Sequence, residues 1–140
     1  MDNLQAFNQT IIEEFRSNAG KVGKVGGPVE GAPLLLLTTT GAKSGVTRIN
    51  PVAYFTDADR YIIVASYEGA PTNPPWYYNL LANPDVGVEV GSERFDATAQ
   101  VVPEPERTGL FQRMTEVMAV FTEYQQRTSR VIPVVALSRT

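Results

Sequence analysis

Residues 34–48 constrain the fold most, because two strand-forming segments lie there with only five residues between them. Four leucines pass into three threonines, a composition typical of a buried strand with a β-branched exit. The residues Gly-Ala-Lys-Ser-Gly at 41–45 then predict a tight turn, because glycine tolerates the backbone angles that such turns require. A second strand begins directly afterwards. The sequence therefore predicts an antiparallel hairpin as the first unit of the fold.

The same turn carries groups that suit an anion. Consecutive backbone N–H groups in a glycine-rich turn can form a nest for a phosphate or carboxylate. Lys43 adds a charge at the tip, Ser44 adds a hydroxyl, and Arg48 adds a planar guanidinium on the following strand. These residues alone leave two interpretations open: an ordinary hairpin turn with a solvated lysine, and an anion-binding site.

Composition limits the classes of function. The chain has 140 residues, 43% hydrophobic and 19% charged, so we expect one globular domain over residues 1–140. A net charge of −3 argues against general nucleic-acid binding. The absence of cysteine and histidine excludes disulfides, thiolate nucleophiles, zinc–thiolate sites and serine–histidine triads. No metal site is predicted, and redox chemistry would require a bound organic cofactor.

The N-terminal region is predicted to contain an amphipathic helix and a connection. Apolar residues recur at helical spacing over residues 3–19, within an N-terminal segment of residues 1–20. This helix either packs on the domain or associates weakly with a membrane surface, since its polar face is mainly acidic. Residues 21–33 form a glycine-rich connection. We expect a cytoplasmic protein, with peripheral association at the inner membrane surface as the alternative.

The rest of the chain predicts mainly strands. They are expected at 46–56, 61–67, 86–90, 94–102 and 131–137. A short helix is expected at 76–82, and one longer helix that begins at Pro103 and has Tyr124, Gln125 and Gln126 near its end. Because proline cannot donate to a strand ladder, Pro51 predicts that its strand lies at a sheet edge or contains a bulge, and Pro133 predicts that the last strand lies at an edge. Alternating faces and short turns favour a mainly β fold of the α+β class, a small antiparallel barrel with helical cover.

The only tryptophan, Trp76, lies on the short helix with Leu80 four residues later. This spacing is typical of a helix that packs into a core. The tryptophan and the adjacent tyrosines could equally form the wall of a site for a flat aromatic ligand.

Several motifs together resemble a known family. They are Leu-Leu-Leu-Thr-Thr-Thr-Gly-Ala-Lys-Ser-Gly-x-x-Arg, Pro-Val-Ala-Tyr, Val-Ala-Ser, Pro-x-Trp-Tyr-x-Asn-Leu-x-Ala-Asn-Pro and the closing Arg-x-Ile-Pro-Val-x-x-Leu. From about Pro33 to the C-terminus, their order and spacing resemble the deazaflavin-dependent nitroreductase family of actinobacteria. The resemblance implies a split β-barrel, similar to flavin-binding barrels, that binds coenzyme F420. This coenzyme is a deazaflavin with a phosphodiester and a glutamate tail, and it carries hydride.

The resemblance also implies where the coenzyme and the substrate bind. The phosphate and tail would lie at Lys43, Ser44, Gly45 and Arg48. The ring would lie at the segments that contain Pro51, Tyr54, Ala65, Ser66, Tyr67, Pro75, Trp76, Tyr77 and Asn79. Tyr124 matches a substrate-side tyrosine, which would donate a proton or bind the substrate.

The implied reaction is hydride transfer from the reduced coenzyme to a small electrophile, which is a quinone, an enone or an aromatic nitro compound. Relatives that accept bulky nitro compounds tend to carry further tyrosines before Tyr124, where this chain has Met118 and Phe121. We therefore expect a more apolar substrate. The alternatives are an FMN-binding split-barrel oxidoreductase and a deazaflavin carrier without catalytic activity, and the oligomeric state stays open.

Overall fold

The structure, a computed structural model, describes residues 3–17 and 33–140, which form four α-helices and seven strands. Residues 18–32, which include most of the predicted glycine-rich connection, lie outside these ranges. The elements in order are α1 (Asn3–Ser17), β1 (Leu34–Thr40), β2 (Thr47–Ala53), β3 (Phe55–Asp57), β4 (Arg60–Val64), α2 (Pro75–Ala82), β5 (Asp85–Val90), β6 (Glu93–Val101), α3 (Glu106–Val117), α4 (Val120–Gln126) and β7 (Val134–Arg139).

The strands form one seven-stranded antiparallel sheet with the order β2-β1-β5-β6-β7-β4-β3. The predicted hairpin of β1 and β2 is confirmed, with a register that runs from Leu34 opposite Ala53 to Thr40 opposite Thr47. The single strand expected at 46–56 is wrong, because it is divided at Tyr54 into two strands. The first, β2, pairs with β1, and the second, β3, pairs with β4. Since β2 and β3 are opposite edges of the sheet, this short stretch draws the two edges toward each other and curls the sheet.

The two prolines that were assigned to sheet edges have different outcomes. Pro51 lies on β2, an edge strand, as predicted. The edge position predicted for the last strand is wrong, since β7 lies between β6 and β4. Pro133 precedes β7, so its missing N–H is not needed in the ladder, and its carbonyl accepts the Ala65 N–H at 2.9 Å.

Two further elements end earlier than expected. The strand predicted at 61–67 stops at Val64, because the chain turns sharply after Ser66. The single helix predicted from Pro103 is two helices, α3 and α4, separated at Met118, whose φ of −141° and ψ of 109° are extended. Neither proline nor glycine marks this break in the sequence.

The sheet has two covered faces. The inner face packs on α2 and holds a cluster of buried apolar residues that includes Leu35, Leu37, Ile63, Trp76 and Leu80. On the outer face, α3 and α4 cover one end through Met114, Phe121 and Tyr124, among others. The other end of the outer face is covered by α1.

Helix α1 packs on the sheet rather than presenting its stripe to solvent. Ile11, Ile12 and Phe15 are buried and contact Leu34 and Leu36 of β1. The prediction that this helix packs on the domain is confirmed for these residues. Because their side chains are buried against β1, they are not available to contact a membrane surface. No helix within residues 3–17 or 33–140 is long and apolar enough to cross a membrane.

Candidate active site

The turn at 41–45 is closed by its own hydrogen bonds. Gly41 N–H donates to the Val46 carbonyl at 2.8 Å, and Gly45 N–H donates to the Gly41 carbonyl at 3.1 Å. Val46 N–H donates to Ser44 Oγ at 3.1 Å. Gly45 has φ of +71°, a conformation that favours glycine. These bonds shrink the predicted nest, because they leave the adjacent N–H groups of Lys43 and Ser44 as the turn amides without a partner among the described residues.

Asn79 joins this turn to α2. Its Oδ1 accepts the N–H of Ala42 at 3.1 Å, and its Nδ2 donates to Thr39 Oγ1 at 3.2 Å. Thr39 lies opposite Arg48 in the β1–β2 ladder, so the two side chains share the inner face. The structure thus brings the predicted tail residues and a predicted ring residue to the same end of the inner face.

Lys43 and Arg48 are exposed, and neither forms an ion pair or side-chain hydrogen bond within residues 3–17 and 33–140. The other arginines described either pair with a carboxylate or donate to backbone carbonyls. These residues are Arg16, Arg60, Arg94, Arg107, Arg113, Arg127, Arg130 and Arg139. Lys43 and Arg48 are therefore the positive groups of this region that remain available to an external anion.

The aromatic residues of the inner face fall into two groups. Trp76 is buried in the cluster with Leu80, as expected for a helix that packs into a core. Tyr54 and Tyr77 are half-buried against the same cluster, and the Tyr54 ring centroid lies 5.8 Å from that of Tyr61. Burial raises the pKa of both the Tyr54 and Tyr77 phenols, and neighbouring tyrosines add to the effect. Neutral, partly exposed phenols therefore border the inner face.

The segment after β4 has an unusual backbone. Ala65 and Ser66 are buried, and Tyr67, Glu68 and Gly69 then have φ values of +48°, +55° and +80°. Left-handed backbone at consecutive residues other than glycine costs free energy and concentrates at functional sites. We refer to residues 65–73 as the β4–α2 loop.

Tyr124 lies against this loop and not against Trp76. A Cβ on Gly69 would lie 2.6 Å from the Tyr124 carbonyl oxygen, so the loop approaches α4 as closely as glycine allows. The Tyr124 side chain is buried, and its ring stands perpendicular to that of Phe121 at 5.5 Å. Burial, with Glu68 and then Glu123 adding to it, raises the pKa of the phenol, and Arg127 opposes this.

Three predicted residues are placed apart from the inner-face group. Tyr124 belongs to the outer-face cluster under α3 and α4, although its backbone contacts the β4–α2 loop. Pro51 shares the outer face with Ile49 and Ala53, opposite to the face of Arg48 and Tyr54. Pro75 is exposed at the first position of α2.

Arg130 is a residue of the site region to which sequence reasoning assigned no role. Its guanidinium donates to carbonyl groups of the β4–α2 loop, which is about sixty positions away in the sequence. Its presence in the closing Arg-x-Ile-Pro-Val motif was the available signal.

A cavity of about 270 Å³ lies elsewhere, on the outer face beside α1. Its charged lining includes Glu89, which accepts hydrogen bonds from Arg16 at 3.0 and 3.2 Å and from Arg94 at 3.2 Å. Because these charges already satisfy one another, and the cavity contacts none of the predicted site residues, we do not assign the active site to it.

The model of the F420H(2)-dependent quinone reductase family matches residues 10–139. The chain belongs to this family. It is 48% identical to an F420H(2)-dependent quinone reductase of Mycobacterium tuberculosis strain H37Rv over 124 residues, which are 86% of this chain and 83% of the relative. The family is named for quinone reduction, so the nitroreductase label of the resemblance is corrected to this name.

Solved structures agree with this assignment. The chain superposes on an F420-H2 dependent reductase, FDR-A, with a TM-score of 0.70 and 39% identity, covering 76% of this chain and 94% of that one. A structure described as a domain-swapped dimer gives a TM-score of 0.72 at 31% identity, covering 98% and 100%. The predicted fold class, a split barrel with helical cover, is confirmed.

Proposed function

We propose that this protein binds coenzyme F420 and uses its reduced form to reduce a quinone. The observation that carries the proposal is the pair of unpaired, exposed cations, Lys43 and Arg48, at the turn that Asn79 fastens to α2, in a chain of this family. An anionic tail at this end of the inner face would place an attached ring toward α2 and the β4–α2 loop.

The residues present fit an anionic tail. Two cations without internal partners and the two free amides of Lys43 and Ser44 are suitable donors for a phosphodiester or a carboxylate. A charge-assisted hydrogen bond of this kind contributes about 1.5–3 kcal/mol. Lys43, Ser44, Gly45 and Arg48 would therefore hold the tail.

The residues present also fit a flat ring. The partly exposed rings of Tyr54 and Tyr77 offer apolar surface beside the buried inner cluster, and the β4–α2 loop offers Ser66 and Tyr67. When bound, the reduced coenzyme supplies a hydride, which together with one proton converts a quinone to a hydroquinone. The protein contributes orientation of the two reactants and exclusion of water.

Tyr124 is the proposed substrate-side residue. The phenol carries its proton at neutral pH, since the ordinary tyrosine pKa is about 10 and burial raises the pKa of Tyr124 further, so it can donate a hydrogen bond to a quinone oxygen. Solvent can then supply the proton that completes the reduction. Phe121 and Met118 beside Tyr124 give this region an apolar character, which favours a quinone over a nitro compound.

Two titrations of the purified protein test the cofactor. Fluorescence is followed as coenzyme F420 is added, and in a second series as FMN is added. We expect tight binding of the deazaflavin, weakened by added salt because the tail contacts are ionic. Tight binding of FMN alone would overturn the cofactor assignment and leave the barrel unchanged.

Turnover tests the substrate and the role of Tyr124. The reduced coenzyme is mixed with a quinone or with a nitroimidazole, and its reoxidation is followed with the same preparation. We expect a preference for the quinone, and we expect Tyr124→Phe to lower turnover about tenfold or more while coenzyme affinity stays nearly constant. A clear preference for the nitroimidazole would contradict the proposed substrate, and binding without turnover of any acceptor would indicate a carrier.

A further inference from the structure

Arg130 lies at the centre of the β4–α2 loop. Its Nε donates to the Ala70 carbonyl at 2.9 Å, and its Nη2 donates to the Ser66 carbonyl at 2.7 Å. Its Nη1 donates to Asn73 Oδ1 at 2.6 Å and to the Ala65 carbonyl at 3.2 Å. All three guanidinium nitrogens thus bond acceptors of one loop, while no carboxylate pairs with this side chain among the described residues.

The loop depends on this contact for two physical reasons. The carbonyl of the buried residue Ala65 has Arg130 as its donor among the described residues, and a buried carbonyl without a donor costs about 1–3 kcal/mol. The Ser66 carbonyl also accepts the Gly69 N–H at 2.9 Å, so there the guanidinium adds a second bond. The left-handed stretch at Tyr67, Glu68 and Gly69 also requires surrounding contacts to hold it. The guanidinium bonds backbone on both sides of this stretch, at Ser66 before it and at Ala70 after it.

The segment that carries Arg130 is itself fixed. Gln125 of α4 donates to the Arg130 carbonyl at 2.8 Å and accepts the Ile132 N–H at 3.3 Å. Arg130 N–H donates to Thr128 Oγ1 at 3.3 Å. A continuous set of contacts therefore runs from α4, which carries Tyr124, through Arg130 to the loop that carries Ser66 and Tyr67.

We propose that Arg130 is a positioning residue for the deazaflavin ring, because it holds the β4–α2 loop in its left-handed conformation, and Ser66 and Tyr67 of this loop would contact the ring. This inference rests on the proposed function. Arg130 does not touch the coenzyme in this proposal, and its charge does not bind the anionic tail. The planar guanidinium is essential to this role, since a lysine ammonium cannot reach acceptors on both sides of the left-handed stretch at once.

The experiment separates ring binding from tail binding. Two probes are titrated by fluorescence: coenzyme F420, and the deazaflavin ring with its ribityl chain but without phosphate and tail. The proteins are wild type, Arg130→Lys, Arg130→Gln, Lys43→Ala and Arg113→Lys. Arg113 is the matched control, since it also joins distant elements, donating to Asp57 Oδ1 at 2.7 Å and to the Thr56 carbonyl at 3.3 Å, away from the loop.

We expect Arg130→Lys to weaken binding of both probes by the same factor, about tenfold, at low and at high salt. Lys43→Ala should weaken only the complete coenzyme, and Arg113→Lys neither probe. Arg130→Gln, which removes the charge and the three-nitrogen fork together, should weaken binding of the ring at least as much as Arg130→Lys does. Amide hydrogen exchange of residues 66–70 should rise in Arg130→Lys and stay unchanged in Arg113→Lys.

Several results would overturn the inference. Loss of affinity for the complete coenzyme alone would assign Arg130 to the tail by charge. A lower melting temperature with unchanged ring affinity would give it a purely structural role. If wild type binds neither probe, the proposed function fails; if wild type binds both and Arg130→Lys binds the ring equally well, only the positioning role fails.

Discussion

The β1–β2 turn and the β4–α2 loop are the two parts of the proposed coenzyme site, and they are stabilised in opposite ways. The turn at 41–45 closes through bonds among its own residues and leaves Lys43 exposed and unpaired. The loop at 65–73 has buried carbonyls and depends on Arg130 and on close contact with α4. In the proposed complex, the turn would therefore supply charge for the flexible anionic tail, whereas the loop would supply a fixed surface for the rigid ring.

The largest expected effect is a loss of stability, and it is measured by substituting one glycine in the loop and one in the turn. Gly45 and Gly69 have similar φ values of +71° and +80°, but a Cβ on Gly45 meets nothing within 4 Å, whereas one on Gly69 lies 2.6 Å from the Tyr124 carbonyl oxygen and 2.9 Å from Arg127 Cβ. We expect Gly69→Ala to lower the free energy of unfolding by about 3 kcal/mol, from left-handed strain and overpacking. Gly45→Ala should cost about 1 kcal/mol from strain alone.

Urea denaturation of the two variants measures this difference directly. Because the φ angles of the two glycines are similar, Gly45→Ala is the control for strain. Equal losses in both variants would mean that the close packing of the loop on α4 contributes nothing to stability.

The second effect is on affinity and should leave stability unchanged. Lys43→Ala and Arg48→Ala should each weaken binding of coenzyme F420 about tenfold to hundredfold, as expected for loss of one charge-assisted hydrogen bond. Since neither side chain has a partner in the described residues, the melting temperature should stay nearly constant. Isothermal titration at two salt concentrations checks both the size of the effect and its ionic origin.

Arg94→Ala is the matched control for that titration. It removes one positive charge from an exposed side chain on the outer face, where Arg94 pairs with Glu89. The same loss of affinity in this variant would indicate a general effect of net charge instead of a local site at the turn.

The same comparison explains which features were predictable from the sequence. The hairpin was predicted correctly because its glycines, its lysine and its two strands are adjacent in the chain. The edge position of Pro51 followed from a rule that applies to a single residue. Unpaired cations at a glycine-rich turn are likewise a local pattern, so the candidate tail site could be proposed before the structure.

The loop could not be predicted in this way, since its conformation depends on contacts between distant residues. Tyr67 suits a strand by composition and was included in the predicted strand 61–67, yet Tyr67 and Glu68 both have positive φ where Arg130 and α4 contact the loop. The break between α3 and α4 at Met118 also lacks a local signal. Pro133 misled the prediction of an edge strand, because it lies one residue before β7 and its carbonyl accepts a bond from Ala65.

A third effect tests how far the turn depends on α2. Asn79→Ala removes the acceptor for Ala42 N–H and the donor to Thr39 Oγ1, so we expect a loss of about 1–1.5 kcal/mol in the free energy of unfolding. Amide hydrogen exchange at Ala42 should accelerate. Asn83→Ala is the control, because Asn83 Nδ2 makes one longer bond, 3.4 Å to the Thr40 carbonyl, and its loss should cost less. Unchanged exchange at Ala42 would show that the turn closes without α2.

The smallest expected effect is a change of stability with pH, which distinguishes arginine contacts to a carboxylate from arginine contacts to neutral groups. Arg130 bonds carbonyl and amide oxygens, which do not titrate, whereas Arg16 and Arg94 attach α1 and β6 to the Glu89 carboxylate. Burial alone would raise the pKa of Glu89, but the two arginines outweigh it and hold the pKa below its ordinary value of 4.5. The unfolded state therefore binds the proton more readily, and the stabilisation is present above pH 4.5 and is lost as the pH falls through the lower folded value.

We expect the Glu89 contact to contribute at most about 1 kcal/mol at neutral pH, because Arg16 and Arg94 are partly exposed. Urea denaturation between pH 3 and pH 7 should show that Glu89→Gln removes part of the acid-dependent loss of stability. Glu93→Gln, at an exposed carboxylate that pairs with Arg139, should retain more of that loss. Hydrogen exchange in the β4–α2 loop should stay constant over the same pH range once corrected for intrinsic exchange, because the acceptors of Arg130 cannot be protonated there. Acid-dependent opening of that loop would show that the Arg130 contacts and the Glu89 contacts are coupled. The two regions would then unfold as a single cooperative unit.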